Sequence, residues 1–566
     1  MSLSAIATIS AVMATAVYAS GYTPADLKNL GNAILGKGEV TVEMDLTGDK
    51  IVDSFDLVAM RKQFASTGEF KESEIPVTEE YVKYTGRNYY DGESAWLVHS
   101  GSAVEFTVNA KSAEVTITGD YSINNDEKYR PRYAVIVDGE IIADVIMSEK
   151  THTVKLFDEK NSRTVDVKII HLSEANNGTV AVSGIKVVSD AVAPVVPAPE
   201  KDLRIEFIGD SITCAYGVEG KSAYENYTTA TENFMKSYAY LTAQKLNADY
   251  SAVCYSGHGV VSGYSNDGEI NTASLVPPYY KNYGNLTDYA KPWDFEKKPN
   301  DVVVINLGTN DSSYVDKDLD NRSQEFVDGY AEFLETIREC NPDAYIICTV
   351  GIMGAENEYP LIEQAIKDFK AKTGDEKVTS YKSPIQNQAD GIGADWHPSE
   401  ITQQKNAYIL ADKICNALGI ESDQIGLDVA ENAEYNLVFD KSTNSSASPY
   451  FSEYDKSFWI NVVNGGTGSD SIEAVVSGIE LKKGGKYRLT FEVSTTDGKE
   501  IPVIIRNADK TKTYFEDTFT GAGEKKSFDA EITAEENCKD AEFVLQVGGT
   551  DSYNATLYNL RLEKIA

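Results

Sequence analysis

The feature that most constrains the fold is a hydrophobic period that changes twice along the chain. Over residues 79–190 apolar and polar residues alternate, as in AVEFTVNA, AEVTITGDY and TVDVKIIHL, and Gly, Asn and Asp separate these runs. Strict alternation is typical of strands with one buried face, and frequent turn residues favour antiparallel pairing. We therefore expect an antiparallel β-sandwich over 79–190.

Residues 203–420 follow a different pattern. Nearly continuous apolar runs, LRIEFIG, DVVVINLG and AYIICTVG, alternate with amphipathic stretches such as EFVDGYAEFLETIREC and PLIEQAIKDFKAKTG. Continuous apolar runs are typical of strands buried on both faces, and the amphipathic stretches have helical spacing. This block is predicted to be an α/β domain with a parallel sheet.

Alternating strands return over 434–566, for example in YRLTFEVST and EFVLQVGG, and predict a second β-sandwich. The segment 191–202 holds three prolines and is expected to be a semi-rigid linker between the first two domains. At roughly 150 residues per domain, a chain of this length should hold about four domains.

Residues 1–19 carry no charge and are rich in Ala, Ile and Val, and the small residues Val17 and Ala19 suit signal-peptidase cleavage before Ser20. A basic start to this segment is missing, yet we expect a signal peptide and an extracellular destination. The chain has 52 Lys and Arg against 88 Asp and Glu, a formal charge of −36. Such a surface repels phosphate backbones and anionic lipids, which argues against nucleic acid and membranes as partners but not against neutral sugars.

Residues 20–66 contain two stretches with helical spacing, ADLKNLGNAIL and FDLVAMRKQF, on either side of the acidic loop DLTGDKIVDSFD. Four carboxylates occupy positions 1, 5, 9 and 12 of this loop, and hard oxygen ligands select Ca²⁺: they are Asp45, Asp49, Asp53 and Asp56. The segment resembles a dockerin repeat, which implies bound calcium and a scaffoldin cohesin as partner. It has a single loop, and Lys50 stands where a tight turn favours Gly. A solvated acidic loop between two helices is the alternative.

Four short polar clusters lie at strand ends or in loops of the α/β block: GDSIT with Ser211, SGHG with Gly257, LGTND with Asn310 and DWHPS with His397. The carboxyl ends of parallel strands meet at one edge of a sheet, where α/β proteins place their sites. A serine after such a strand also fits a helix N-cap. Together, however, the clusters supply a nucleophile, amide donors and a base, the groups that ester hydrolysis needs.

These four clusters, in this order, resemble those of the SGNH (GDSL-type) hydrolases. Because a β domain precedes them, the chain more closely resembles the acetyl esterases of carbohydrate esterase family two. The resemblance implies a jelly-roll sandwich before a three-layer, flavodoxin-like α/β domain, with no cofactor for catalysis. It implies that Ser211 is the nucleophile and His397 the general base. The N–H groups of Ser211 and Gly257 and the amide of Asn310 would form the oxyanion hole.

One position departs from the family's Asp-x-x-His pattern, because Ala394 stands three residues before His397 and Asp395 only two before it. Either Asp395 is the acid of a triad, or a main-chain carbonyl near Gly393 or Ala394 orients the base of a Ser–His dyad. Trp396 is either a core residue or a wall of the sugar site.

The leading hypothesis is a secreted esterase that removes O-acetyl groups from xylan or glucomannan. The alternatives are a lipase or thioesterase of the same fold, and a glycan-binding protein without activity. The C-terminal block resembles carbohydrate-binding modules, so Trp459 either stacks on a glycan or fills the sandwich.

Overall fold

The computed structural model describes residues 29–30, 33–34, 66–422, 424–549 and 551–566. The predicted signal peptide and the acidic loop with Asp45, Asp49, Asp53 and Asp56 lie outside these residues, so both stay predictions. The chain divides into two compact units. One holds the described residues up to Val350, Ala355–Lys382 and Ala394–His397, and the other holds Gly351–Gly354, Ser383–Gly393 and Pro398–Ala566.

The first domain is antiparallel, as predicted. Its ten strands are β1 (Ser66–Ile75), β2 (Lys83–Thr85), β3 (Asn88–Tyr90), β4 (Ala95–Leu97), β5 (Ala103–Gly119), β6 (Arg132–Val137), β7 (Glu140–Ile146), β8 (Thr151–His171), β9 (Val180–Ala191) and β10 (Val195–Pro197). Their main order is β3-β4-β9-β5-β8-β6-β7, with β1 on β9 and both β2 and β10 on β5. The two sheets expected of a sandwich are joined into one ladder, because β5 and β8 are 17 and 21 residues long.

Two segments of this domain differ from the prediction. β1 precedes residue 79 and pairs with β9, and its sequence STGEFKESEI is polar and mostly exposed, as suits an edge strand. The segment 191–202 is not a free linker, because Val195–Pro197 pairs with Phe106–Val108 of β5. Pro197 is tolerated there because an edge strand does not need every N–H.

The α/β domain has five parallel strands: β11 (Arg204–Gly209), β12 (Asp249–Cys254), β13 (Val302–Asn306), β14 (Tyr345–Val350) and β15 (Val378–Lys382). Their order is β12-β11-β13-β14-β15, that of flavodoxin-like sheets. The connecting helices are α1 (Ser211–Cys214), α2 (Tyr238–Lys245), α3 (Ser312–Val315), α4 (Leu319–Cys340) and α5 (Glu358–Thr373). Apolar residues of α4 and α5 pack with the strands in one core, which includes Phe326, Leu334, Ile362 and Phe369.

The second unit contains helix α6 (Glu400–Leu418) and two antiparallel sheets of five strands each. One sheet has the order β16-β19-β24-β21-β22, and its strands are Glu434–Phe439, Ile472–Leu481, Cys538–Gln546, Glu500–Asn507 and Thr513–Thr520. The other has the order β17-β18-β25-β20-β23, with strands Ser446–Ser452, Ser457–Asn464, Tyr553–Lys564, Lys486–Ser494 and Lys525–Thr533. Apolar residues from both sheets form one core, as expected for 434–566. None of the helices in the described ranges is long and apolar enough to cross a membrane.

Candidate active site

The register of the parallel sheet brings three of the four clusters to one edge. Gly209, the last residue of β11, pairs with Cys254 of β12 and Asn306 of β13, so the three following loops leave the sheet side by side. Ser211 begins α1 at this edge, and the Asp210 carboxylate caps that helix by accepting the N–H of Ile212 at 3.0 Å. The strand order therefore places the serine at the switch point between β11 and β13.

His397 reaches the serine from the fourth cluster, 186 positions away in the chain. Its Nε2 lies 2.9 Å from the Ser211 Oγ, and its Nδ1 lies 2.8 Å from the main-chain oxygen of Asp395. Because a carbonyl can only accept, Nδ1 carries the proton and Nε2 is free to accept the proton of the serine hydroxyl. This is the contact that a nucleophile and its general base require.

The loop that carries the base is held against the loop after α1. Ala394 donates its N–H to the Gly217 oxygen at 2.8 Å, and a Cβ on Gly217 would lie 2.4 Å from the Ala394 oxygen. Gly217 also has φ = +70°, so glycine suits this position on both counts. Asp395 and Trp396 have φ values of +52° and +64°, and these two left-handed residues turn the chain so that the carbonyl of Asp395 faces the imidazole.

Asp395 does not occupy the place of a triad acid. Its carboxylate accepts the hydroxyl of Tyr216 at 3.2 Å, while its main-chain oxygen faces His397. The structure thus has the dyad arrangement, with the carbonyl of Asp395 in the role expected of Gly393 or Ala394. A side chain two residues before the base cannot follow the path of one three residues before it, which is why the shifted acid points elsewhere.

The predicted oxyanion donors lie on neighbouring loops. Gly257 has φ = +78° and open space where a Cβ would stand. The Nδ2 of Asn310 donates to the Asp210 carboxylate at 3.1 Å and to the His258 oxygen at 2.9 Å, which links the three loops. Both Nδ2 hydrogens already have acceptors, so Asn310 would serve an oxyanion by sharing one of them or exchanging its partner.

Sequence reasoning missed the buried carboxylates that hold these loops. Asp311 accepts the N–H groups of Val260, Val261 and Ser262 at 2.7–3.1 Å, directly beyond Gly257. Its place beside Asn310 in LGTND was a signal that could have found it. Burial raises the pKa of Asp210 to about 7, and the nearby Asp311 charge acts in the same direction.

The first β domain also contributes a carboxylate to the site. Glu174, which lies just after β8, accepts the N–H of Ser256 at 2.8 Å, one residue before Gly257. Its own N–H donates to Glu232 at 3.1 Å. Both carboxyls are buried, and burial raises the pKa of each. No local sequence pattern pointed to Glu174, because its partner is 82 positions away.

Trp396 lies at the surface rather than in the core. Its side chain is 45% exposed, and its ring meets that of Tyr224, itself 83% exposed, in an edge-to-face contact at 5.2 Å. Exposed rings beside a nucleophile and its base offer an apolar wall to a ligand. Trp396 is therefore in a position to line a substrate site.

Comparison with known proteins matches the two domains separately. Residues 207–405 match the GDSL-like Lipase/Acylhydrolase family, and residues 84–199 match the Carbohydrate esterase 2 N-terminal family. The chain is 34% identical over 349 residues to the Cellulase/esterase CelE of Acetivibrio thermocellus, an alignment that covers 60% of this chain but only 40% of that protein. It is 25% identical over 289 residues to an Acetylxylan esterase / glucomannan deacetylase of Cellvibrio japonicus, covering 51% of this chain and 76% of that one.

A solved structure agrees with these matches. The family two carbohydrate esterase from Clostridium thermocellum in complex with cellohexaose is 32% identical, with a TM-score of 0.51, and the alignment covers 60% of this chain and 99% of that chain. The GDSL-like match contains Ser211, Gly257, Asn310 and His397, and the Carbohydrate esterase 2 match covers the β domain before them. The chain therefore belongs to the GDSL-type esterases of carbohydrate esterase family 2.

Proposed function

We propose that this protein is a secreted acetyl esterase that removes O-acetyl groups from plant cell-wall polysaccharide, either xylan or glucomannan. The observation that carries the proposal is the 2.9 Å contact between the Ser211 Oγ and the His397 Nε2. The exposed rings of Trp396 and Tyr224 beside this pair suit a sugar ester better than a long acyl chain. A relative that is 25% identical over 289 residues is named an Acetylxylan esterase / glucomannan deacetylase.

The reaction uses only groups of the chain, since esterases of this family need no cofactor. The Ser211 Oγ attacks the acetyl carbonyl carbon while Nε2 takes its proton, and the carbonyl oxygen becomes an oxyanion. The N–H groups of Ser211 and Gly257, with the Asn310 amide, stabilise that charge. The imidazolium then protonates the departing sugar oxygen, and a water activated by the neutral imidazole releases acetate from Ser211.

The test measures acetate released from acetylated xylan and acetylated glucomannan by the whole protein. Ser211→Ala is expected to lower the rate by about 10⁴-fold or more while the protein stays folded, because it removes the attacking atom. Ser323→Ala, at a serine in α4, is a matched control and should leave the rate unchanged. Acetate release that survives Ser211→Ala would refute the proposed nucleophile.

A second assay separates this proposal from the lipase alternative. Aryl esters of acetate and of a long fatty acid are hydrolysed side by side, and we expect a strong preference for acetate. A preference for the long chain would favour a lipase or thioesterase instead.

We also propose that the N-terminal segment is a dockerin-like half-module that binds calcium through Asp45, Asp49, Asp53 and Asp56 and docks on a scaffoldin cohesin. The support is the loop pattern in the sequence. Calcium-dependent retention on a cohesin column, lost in the Asp45→Ala, Asp49→Ala double variant, is the expected result. Equal retention in the presence of EDTA would contradict it.

A further inference from the structure

His397 lacks the carboxylate partner that a catalytic triad provides. Its Nδ1 faces the main-chain oxygen of Asp395 at 2.8 Å, in the place where a triad has a carboxylate. A carbonyl fixes the tautomer, but it offers no full negative charge to the imidazolium that forms when Ser211 loses its proton. Another contact that holds the plane of the ring and stabilises its cationic form would therefore speed the reaction.

Tyr216 is placed to do both. Its ring centroid lies 4.2 Å from that of His397, with 40° between the ring planes. At this distance the negative face of an aromatic ring attracts a cation, and the attraction is absent while the imidazole is neutral. The contact is therefore stronger in the transition state than in the ground state, which is what accelerates a reaction.

Two further contacts fix Tyr216 itself. Its ring stacks on that of Tyr227 at 3.7 Å with 13° between the planes, and the Tyr227 hydroxyl donates to buried Glu232 at 2.6 Å. The Tyr216 hydroxyl donates to the Asp395 carboxylate at 3.2 Å, so the same side chain touches the imidazole and tethers the residue whose carbonyl faces Nδ1.

We propose that Tyr216 is the positioning residue that replaces the carboxylate of a triad: its ring holds and stabilises the protonated His397, and its hydroxyl anchors Asp395. The inference rests on the proposed Ser–His mechanism. It does not depend on the polysaccharide, so its tests use an aryl acetate, and failure to deacetylate xylan leaves them interpretable.

The first test compares Tyr216→Leu with Tyr216→Phe. Loss of the ring is expected to lower kcat by about ten- to thirtyfold with KM within about twofold, from the usual size of a desolvated cation–ring contact. Tyr216→Phe keeps the ring and loses only the bond to Asp395, so its kcat should lie between those of the wild type and Tyr216→Leu. Tyr240→Leu, which removes ring contacts to Phe234 and Tyr250 away from His397, is the matched control and should leave kcat unchanged.

The second test keeps the packing intact in case Tyr216→Leu does not fold. Phenylalanines with one, two and five ring fluorines are placed at position 216, which drains electron density from the ring face at nearly constant shape. A graded fall in kcat relative to Tyr216→Phe supports the proposal. A flat series, or a kcat for Tyr216→Leu equal to that of the wild type, overturns it.

Discussion

A main-chain carbonyl and a carboxylate differ in how strongly they favour a protonated imidazole, so the pH response of His397 reflects its surroundings. Burial lowers the pKa of His397 to about 4, although the carbonyl and the carboxylate of Asp395 both act to raise it. The base must be neutral to accept the proton of Ser211. We therefore expect kcat/KM to be level at neutral pH and to fall as the pH drops through about 4, as measured with an aryl acetate.

The charge of Asp395 determines the direction in which the acidic limb of kcat/KM should move when this residue is changed. Because its carboxylate raises the pKa of His397, Asp395→Asn is expected to move the acidic limb of kcat/KM to lower pH. Asn also tolerates the left-handed φ of +52° at this position. Asp267→Asn, an exposed carboxylate in another loop, should leave the limb in place. A limb that stays in place would show that the Asp395 charge does not act on the imidazole.

At this scale the sequence predicted which side chains meet but not which atoms orient them. Ser211 and His397 were expected to pair, and the structure brings them to 2.9 Å. The carbonyl of Asp395 was not identified, because the direction of a main-chain oxygen depends on the left-handed turn at Asp395 and Trp396. Tyr216 was likewise missed as a partner of His397, because a ring contact between residues 181 positions apart leaves no periodic pattern in the sequence.

Among the elements, the loop after β12 donates several consecutive N–H groups to one carboxylate. Asp311 accepts three consecutive N–H groups, from Val260 to Ser262. A buried donor without a partner costs about 1–3 kcal/mol. Asp311→Ala is therefore expected to loosen the loop that carries Gly257, lower kcat by about 10²-fold and lower the Tm.

Two comparisons sharpen this prediction. Asp311→Asn keeps one acceptor oxygen, so its kcat and its Tm should lie between those of the wild type and Asp311→Ala. Asp267→Ala is the matched control, because Asp267 accepts the N–H of Glu269 in an exposed turn of the same region. If Asp311→Ala lost stability but kept its kcat, the carboxylate would serve the fold without serving the oxyanion donors.

The elements that sequence reasoning found are those with a strong hydrophobic period. The runs LRIEFIG, DVVVINLG and AYIICTVG became β11, β13 and β14, each almost wholly buried. β1 and β10 were missed because their stability comes from pairing with β9 and β5 rather than from an apolar face of their own.

For the whole molecule, we propose that the C-terminal sheets bind a glycan apart from the catalytic site. Tyr450 and Trp459 are direct cross-strand partners on one face, 66% and 51% exposed, so Trp459 does not fill the core. Trp459→Ala and Tyr450→Ala are expected to weaken binding to soluble xylan or glucomannan by about tenfold each, as measured by affinity electrophoresis, with aryl acetate hydrolysis unchanged.

Tyr121→Ala is the matched control for this prediction, because Tyr121 is 73% exposed but lies in the first domain. If Trp459→Ala and Tyr450→Ala are slowed by every glycan gel as much as the wild type, this face of the C-terminal sheet does not bind the glycan.

The bond from Glu174 to the N–H of Ser256 bears on how this protein can be trimmed. A fragment that begins near residue 203 would contain the whole GDSL-like match but would lack Glu174. Its Ser256 N–H would therefore have no acceptor. We therefore expect the shortest active fragment to begin before β1, because the β domain supports the loop that carries Gly257.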